Sequence, residues 1–414
     1  MNEREVIVIG CGIAGPAVAL FLRRAGFSPR IYEAAPAPRD EEGAFFNLAP
    51  NGMHVLRALG AEPDVRRMGH RTLGLAFHNE AGKEIARLDG RRDEELFGAP
   101  SVLIPRGAVG RILRERAERE GIPVAFGKRL ARIEEIPSGV RALFEDGTEA
   151  TADLAIGCDG VHSRTRRFLF PDAPTPRFTG LLDTGGTSRR ILANEDQVMR
   201  FVFGRRAFFG YFAAPDGTFW FSNVPWPREG DAPDPIAFEA WRDRLLELHR
   251  DDPPVVSEIL REANAPLGRW KLYEMPMLPS WHRGRIVLLG DAAHATPPHA
   301  GQGASLALED ALALARCLRD ATAPQAAFVA FEALRRRRVA RVLAQARHNG
   351  SPKAPRGPIA RWMRDRMLPL FLRLGGRATR QTYAYRLTWD PVDVPARVGS
   401  DRRTEDATGG EANA

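Results

Sequence analysis

A hydrophobic strand that runs straight into three spaced glycines and then into an apolar helix leaves this chain few ways to begin. Glu5 to Ile9 has strand character, Gly10-Cys11-Gly12-Ile13-Ala14-Gly15 follows, and a helix is expected from about Ile13 to Ala25. A turn at Gly26 and a second strand ending at Glu33 complete a βαβ opening. In such a unit the first glycine makes the turn, the second lets a pyrophosphate approach the backbone, and the third lets helix and strand pack closely. Free N–H groups and the positive helix end then face the phosphates. Glu33 stands 23 residues after Gly10, where a carboxylate accepts from both hydroxyls of a ribose. Gly10, Gly12, Ile13, Ala14, Gly15, Glu33 and the adjoining Ala34 are therefore candidate contacts to an adenine dinucleotide with a free 2′-hydroxyl. The motif does not distinguish NAD from FAD.

With 414 residues, 44% of them hydrophobic, the chain can bury a sizeable core in two or three domains. Its longest apolar stretch, Val6 to Leu22, is broken by glycines and Pro16 and follows a start that lacks the positive charge of a signal peptide. A cytoplasmic chain with no membrane span is expected. Cys11, Cys158 and Cys317 lie far apart without metal-ligand spacing, so neither a disulfide framework nor a metal site is expected, and they read as small buried filler. The formal charge is +8, yet only four of the 60 basic residues are lysines, a bias that a GC-rich genome produces. Charge alone therefore implies no nucleic acid, and the run Arg335 to Arg338 reads as a solvated helix end.

Alternating patterns with Gly/Asp turns predict strands at Val124 to Phe126, Ala131 to Ile136 and Val140 to Phe144, and a further strand at Asp153 to Gly157. From about 175 to 275 the texture becomes aromatic and β-branched, which predicts a separate antiparallel sheet. Most of these aromatics are core, but such a face can also wall a pocket for a flat substrate. Phe203, Tyr211 and Trp220, with Phe46 upstream, are the candidate substrate contacts. A strand at Arg285 to Leu289, a glycine-rich turn, and helices from Ala304 to about Arg319 and from Gln325 to Arg347 follow. A Pro/Gly linker, an amphipathic segment from Ile359 to Leu374, and a polar tail expected to be disordered close the chain. There is no internal repeat.

Two distant segments bear on the cofactor. Cys158-Asp159-Gly160-Val161-His162-Ser163-Arg164-Thr165-Arg166 follows one strand; Gly290-Asp291-Ala292-Ala293-His294 follows another and continues to Pro297-Pro298-His299-Ala300-Gly301-Gln302-Gly303-Ala304. Together with the glycine turn they resemble, over roughly residues 1 to 345, the class A FAD-dependent aromatic hydroxylases of the para-hydroxybenzoate hydroxylase type. That family carries GxGxxG, DGxxSxxR and a GD motif running into PxxGQG, in this order. Asp291, at a strand's end, is placed to accept from ribityl hydroxyls. The bare backbone of Gly301-Gln302-Gly303 and the helix end at Ala304 favour the anionic reduced flavin.

By resemblance, Gly290 belongs to the same motif, the Pro298 backbone and Gly301 lie near the flavin ring, Asp159 helps hold the pyrophosphate, and Arg106 contacts the dinucleotide. His294 and His299 are acid–base candidates for which structural roles are favoured. Ser305 departs from the family, which often has Asn there. The resemblance implies a Rossmann-like α/β FAD-binding domain (1–75, 100–172 and 278–345), an inserted antiparallel-sheet substrate domain (76–99 and 173–277), a C-terminal helical segment (346–397) and a tail (398–414). It also implies non-covalent FAD, NADPH or NADH as a transient co-substrate, and O2 as oxidant. One oxygen atom then passes, through a C4a-hydroperoxide of the flavin, to an aromatic or polycyclic small molecule by hydroxylation or epoxidation, as in natural-product tailoring. A monomer or homodimer is expected. Baeyer–Villiger or other flavin oxidation, or a non-catalytic flavin or metabolite binder, are the alternatives on this scaffold.

Overall fold

The computed structural model describes residues 4–40, 44–226, 237–297, 300–349 and 357–390. Parallel pairing sets its frame. The strand Arg4–Ile9 lies between Phe27–Tyr32 and Leu154–Gly157, and the sheet continues to Val124–Ala125 on one side and Ile286–Leu288 on the other. His282–Arg283 closes the latter edge antiparallel. Val6 to Ile9 and Leu154 to Gly157 are buried throughout, which is why they read as continuous apolar runs rather than as alternation. The helix Ala14–Arg24 buries every residue from Gly15 to Leu22 between this sheet and the helix Gly303–Asp320.

Register decides where the loops emerge. Ile9 pairs with both Tyr32 and Gly157, and Gly157 pairs with Leu288, so four neighbouring parallel strands end side by side. The glycine turn, Glu33, Asp159 and Asp291 therefore leave the sheet at one carboxyl edge, where ligands of open α/β sheets bind.

A second sheet has seven strands in the order Gly268–Glu274, Arg177–Ser188, Gly217–Pro225, Phe208–Ala214, Met199–Phe203, Gly74–His78, Glu84–Asp89. It is antiparallel except where Gly74–His78 runs parallel to Met199–Phe203. Helices Phe238–Leu248 and Pro254–Arg261 cover one face. The other carries Phe201, Phe208, Phe212, Phe219 and Phe221 and meets Phe45 and Leu103 from the strands Phe45–Leu48 and Ser101–Pro105.

The two-residue period of these strands corrects two expected substrate contacts. Tyr211 and Trp220 point under the helices, where Trp220 is fully buried and stacked on Phe209 with ring centroids 5.7 Å apart. Phe203 keeps to the aromatic face, at its margin, against Phe77 and Phe208 and beneath the Arg364 guanidinium. Phe46 packs on the core of the first sheet, and its neighbour Phe45 meets Phe219 and Phe221 instead.

Of the Arg335–Arg338 run only Arg336 and Arg337 reach solvent, and the run lies within a helix, not at its end. Arg335 is fully buried and Arg338 nearly so, inside the helix Pro324–Asn349. The last helix, Pro358–Tyr383, runs nine residues beyond Leu374. The tail, Pro298 and His299 lie outside the described residues. Among the described residues no helix is long and apolar enough to cross a membrane, and no cluster of His, Cys, Asp or Glu could hold a metal ion.

Candidate functional site

Packing dictates the first and third glycines of the first turn, each for its own reason. Gly10 has φ +105°, and a Cβ there would stand 2.6 Å from the Cys158 carbonyl oxygen. A Cβ on Gly15 would stand 1.9 Å from the Gly10 oxygen, so helix and strand approach this closely only over glycine. Gly12 is exposed, and a Cβ on it would meet nothing within 4 Å: its backbone faces open space. Ile13, buried, precedes the helix without a side-chain cap, Ala14 begins it, and the first turn holds no acid. Its N–H groups are thus available to an anion.

Glu33 braces the same turn. Its Oε2 accepts from the Cys11 N–H at 2.7 Å and its Oε1 from the Ala35 N–H at 2.8 Å, across the half-buried Ala34. Each oxygen keeps a further lone pair for a ligand hydroxyl. Burial, then the Glu33 charge, push the Cys11 thiol up to about 12, so it stays protonated.

The Asp-Gly loop is organised from within. Asp159 accepts from the Ser163 hydroxyl at 2.5 Å and from the Thr165 N–H and hydroxyl at 2.9 and 3.1 Å. Ser163 in turn caps the helix Arg164–Leu169 by accepting from the Arg166 N–H at 2.9 Å. The buried Arg166 guanidinium donates to the Val161 and Ala292 carbonyls at 2.6 and 2.8 Å and so ties this loop to the Gly290 loop. Ser163 and Arg166 therefore act through the loops they hold.

In the Gly290 loop, Gly290 has φ +60° and Asp291 opens the short helix Asp291–His294. Among the described residues nothing pairs with the Asp291 carboxylate, which is half-buried at the sheet edge, nor with the exposed guanidinium of Arg106, first residue of the helix Arg106–Arg119. Among the described residues, a Cβ on Gly301 or Gly303 would meet nothing within 4 Å. The buried Gln302 precedes the helix Gly303–Asp320 without capping it, the first turn with the half-buried Ala304 holds no acid, and its N–H groups are open too.

Behind this helix end sits a buried ionic network that sequence reasoning missed. Asn51 donates to Gln302 Oε1 at 2.9 Å and to Glu309 Oε1 at 2.6 Å. Glu309 pairs with Arg335 at 2.7 Å and Arg338 at 3.0 Å. Asp310 pairs with Arg335 at 2.6 Å and with the His294 ring at 2.7 Å, and accepts from the Gly290 N–H at 3.2 Å. Burial opposes ionisation of Asp310, but His294 and Arg335 outweigh it and hold the carboxyl below its usual range. His294, only 2% exposed and 5.0 Å from the Trp281 ring, serves this network and is withdrawn from acid–base work at the loops. The available signal was two adjacent carboxylates inside an otherwise Ala/Leu helix.

Among the described residues, Asn51 Oδ1 and Ser305 Oγ are buried with no partner. Orphaned polar atoms, bare backbone facing open space and two uncapped helix ends fit a long phosphate-bearing cofactor with a flat, polar ring.

Comparisons with known proteins agree with this geometry. Residues 3–346 match the family model of the FAD binding domain. The 3-amino-4-hydroxybenzoate 2-monooxygenase of Streptomyces cremeus is 37% identical over 84% of this chain and 86% of its own length. The 6-hydroxynicotinate 3-monooxygenase of Bordetella bronchiseptica is 34% identical over 82% and 90%. The crystal structure of Klebsiella pneumoniae HpxO complexed with FAD and uric acid superposes with a TM-score of 0.81 at 26% identity, covering 92% of this chain and 96% of that one. The likeness extends over both sheets, and the chain belongs to the class A FAD-dependent aromatic hydroxylases, flavoprotein monooxygenases that consume NAD(P)H and O2.

Proposed function

We propose that this enzyme hydroxylates a small electron-rich aromatic or heteroaromatic ring that already carries a hydroxyl group. The observation that carries the reading is the aromatic face of the second sheet. Phe201, Phe208, Phe212 and Phe221 form an apolar wall that excludes water. Polar groups flank it: the His70 ring lies 5.9 and 5.5 Å from those of Phe212 and Phe219, and Asn223 donates to Asp183 at 2.8 Å. Such a wall suits a flat substrate oriented by one or two polar substituents. The rings named in the relatives, 3-amino-4-hydroxybenzoate and 6-hydroxynicotinate, have that character. Residues 76–99 and 173–277 are then the substrate-binding part of the chain, and 1–75, 100–172 and 278–345 the FAD-binding part.

For the cofactor, Gly10, Gly12, Ile13, Ala14 and Gly15 would hold the pyrophosphate, Glu33 and Ala34 the adenosine ribose, and Asp291 with Gly290 the ribityl chain. Arg106 and Asp159 would support the dinucleotide, and Pro298, Gly301, Gln302, Gly303 and Ala304 would flank the ring. FAD, when bound, supplies electron transfer from NAD(P)H and activation of O2. The chain's part is orientation: the open N–H groups before Ala304 stabilise negative charge at the ring, and the phenylalanine wall keeps solvent from the reacting centre.

Loading the protein with FAD and supplying NADH or NADPH should give oxidation stimulated by hydroxybenzoates, aminohydroxybenzoates or hydroxypyridines. Mass spectrometry should find a ring product heavier by one oxygen. Oxidation that no such ring accelerates, or a lactone product, would overturn the reading. Glu33→Ala should weaken FAD binding by about 1–3 kcal/mol, roughly 5- to 150-fold, through lost hydrogen bonds to a charged acceptor and a loosened turn. Fluorescence titration with FAD measures it, and wild-type affinity would contradict the ribose role.

A further inference from the structure

The solvent side of the last helix is apolar. Along Pro358–Tyr383, Ile359, Trp362, Met363, Met367, Leu370 and Phe371 are between 39% and 75% exposed. They recur every three or four residues and so share one face. Arg366 alone interrupts the stripe, and its guanidinium lies 5.6 Å from the Trp362 ring centroid. The polar residues point inward: Arg361 and Arg364 pair with Glu80 at 3.1 and 2.8 Å, and Asp365 accepts from Asn79 at 2.9 Å. A helix docked polar side in, with its apolar stripe in water, reverses the order expected on a monomer.

We propose that this stripe is covered by the same stripe of a second copy, giving a two-fold dimer through antiparallel 358–383 helices. Six large side chains of about 200 Å² each, roughly half exposed, leave on the order of 600 Å² per chain. Two copies bury about 1,200 Å², where specific interfaces begin. The composition is that of an interface centre, with Trp, Phe, Met and Arg present and no acid on the stripe. A two-fold axis near residue 365 brings Ile359 opposite the partner's Phe371, and Met363 opposite the partner's Met367, so that one patch complements itself. A lipid surface fits less well, because a membrane-lying helix turns its cations outward and Arg361 and Arg364 turn theirs onto carboxylates.

Sedimentation velocity of the FAD-loaded full chain should show a species of twice 45.8 kDa at micromolar concentration. The W362E/M367E double variant should sediment as a monomer with unchanged flavin content and unchanged substrate-stimulated NADPH oxidation. As a second measure that does not rely on that variant, mixing separately prepared M363C and M367C chains under oxidation should cross-link one to the other. A wild-type monomer, a dimer indifferent to both substitutions, or a monomer that co-sediments with phosphatidylserine vesicles through this stripe would each overturn the proposal.

Discussion

Arg335→Ala is expected to lower folding stability by about 3–5 kcal/mol, the cost of leaving buried carboxylates without their counter-charge. Arg335 is fully buried between Glu309 and Asp310, and a water entering the space it leaves would bring no counter-charge. Arg338 still reaches Glu309 and His294 still reaches Asp310, so the loss falls short of complete unfolding. The network also carries a pH signature. Because the folded-state pKa of Asp310 is depressed, its contribution is present above the unfolded carboxylate value and is lost as pH falls through the lower folded one. Wild type should therefore lose this increment only in acid below about pH 4, whereas Arg335→Ala should already lack most of it at neutrality. Urea titrations at neutral and acid pH check this, and a loss under about 1 kcal/mol at neutrality would mean the pair is not counter-charged as described.

Asp291→Ala should reduce FAD retention by about a hundredfold, or ~3 kcal/mol, because a carboxylate acceptor is worth about 1.5–3 kcal/mol per hydrogen bond and the loop order goes with it. The carboxylate stands at the carboxyl end of a parallel strand with no protein partner among the described residues, so its removal opens no hole in the fold. Thermal stability of the FAD-free protein should accordingly stay within about 0.5 kcal/mol of wild type. Flavin absorbance after gel filtration is the readout. Undiminished flavin content would remove Asp291 from the ribityl role, and Asp291→Asn, which keeps an acceptor, should fall between the two. Set beside Arg335→Ala, the contrast is sharp: one variant loses the fold's counter-charge, the other a ligand contact.

Local and periodic features were open to reading from the residues. Strand, glycine turn, helix and acid follow one another within residues 5 to 33, and Gly10 and Gly15 each have a steric reason that a single substitution would violate. The Asp-Gly and Gly-Asp loops were recognisable because their backbone demands leave residue-level marks, such as the left-handed φ of +60° at Gly290. The aromatic sheet was visible as composition, but its two faces were not: Tyr211 and Phe212 are adjacent in sequence, yet one points under the helices and the other toward Leu103. Strand parity is set by register against the neighbouring strand, which one sequence does not display.

The amino-acid order thus determined, by itself, where the glycine turn and the Asp-Gly and Gly-Asp loops fall along the chain, since turns and helix ends depend on neighbours a few residues away. Tertiary structure alone decided what long-range pairing controls. It fixed which phenylalanines face Phe45 and Leu103, it moved Arg335 and Arg338 from water into the core beside Glu309 and Asp310, and it set the last helix with its apolar stripe outward. The reason is that burial and ion pairing are properties of what a side chain meets across the fold, and the same arginine is a solvated charge or a buried counter-ion according to whether a carboxylate from another helix arrives beside it.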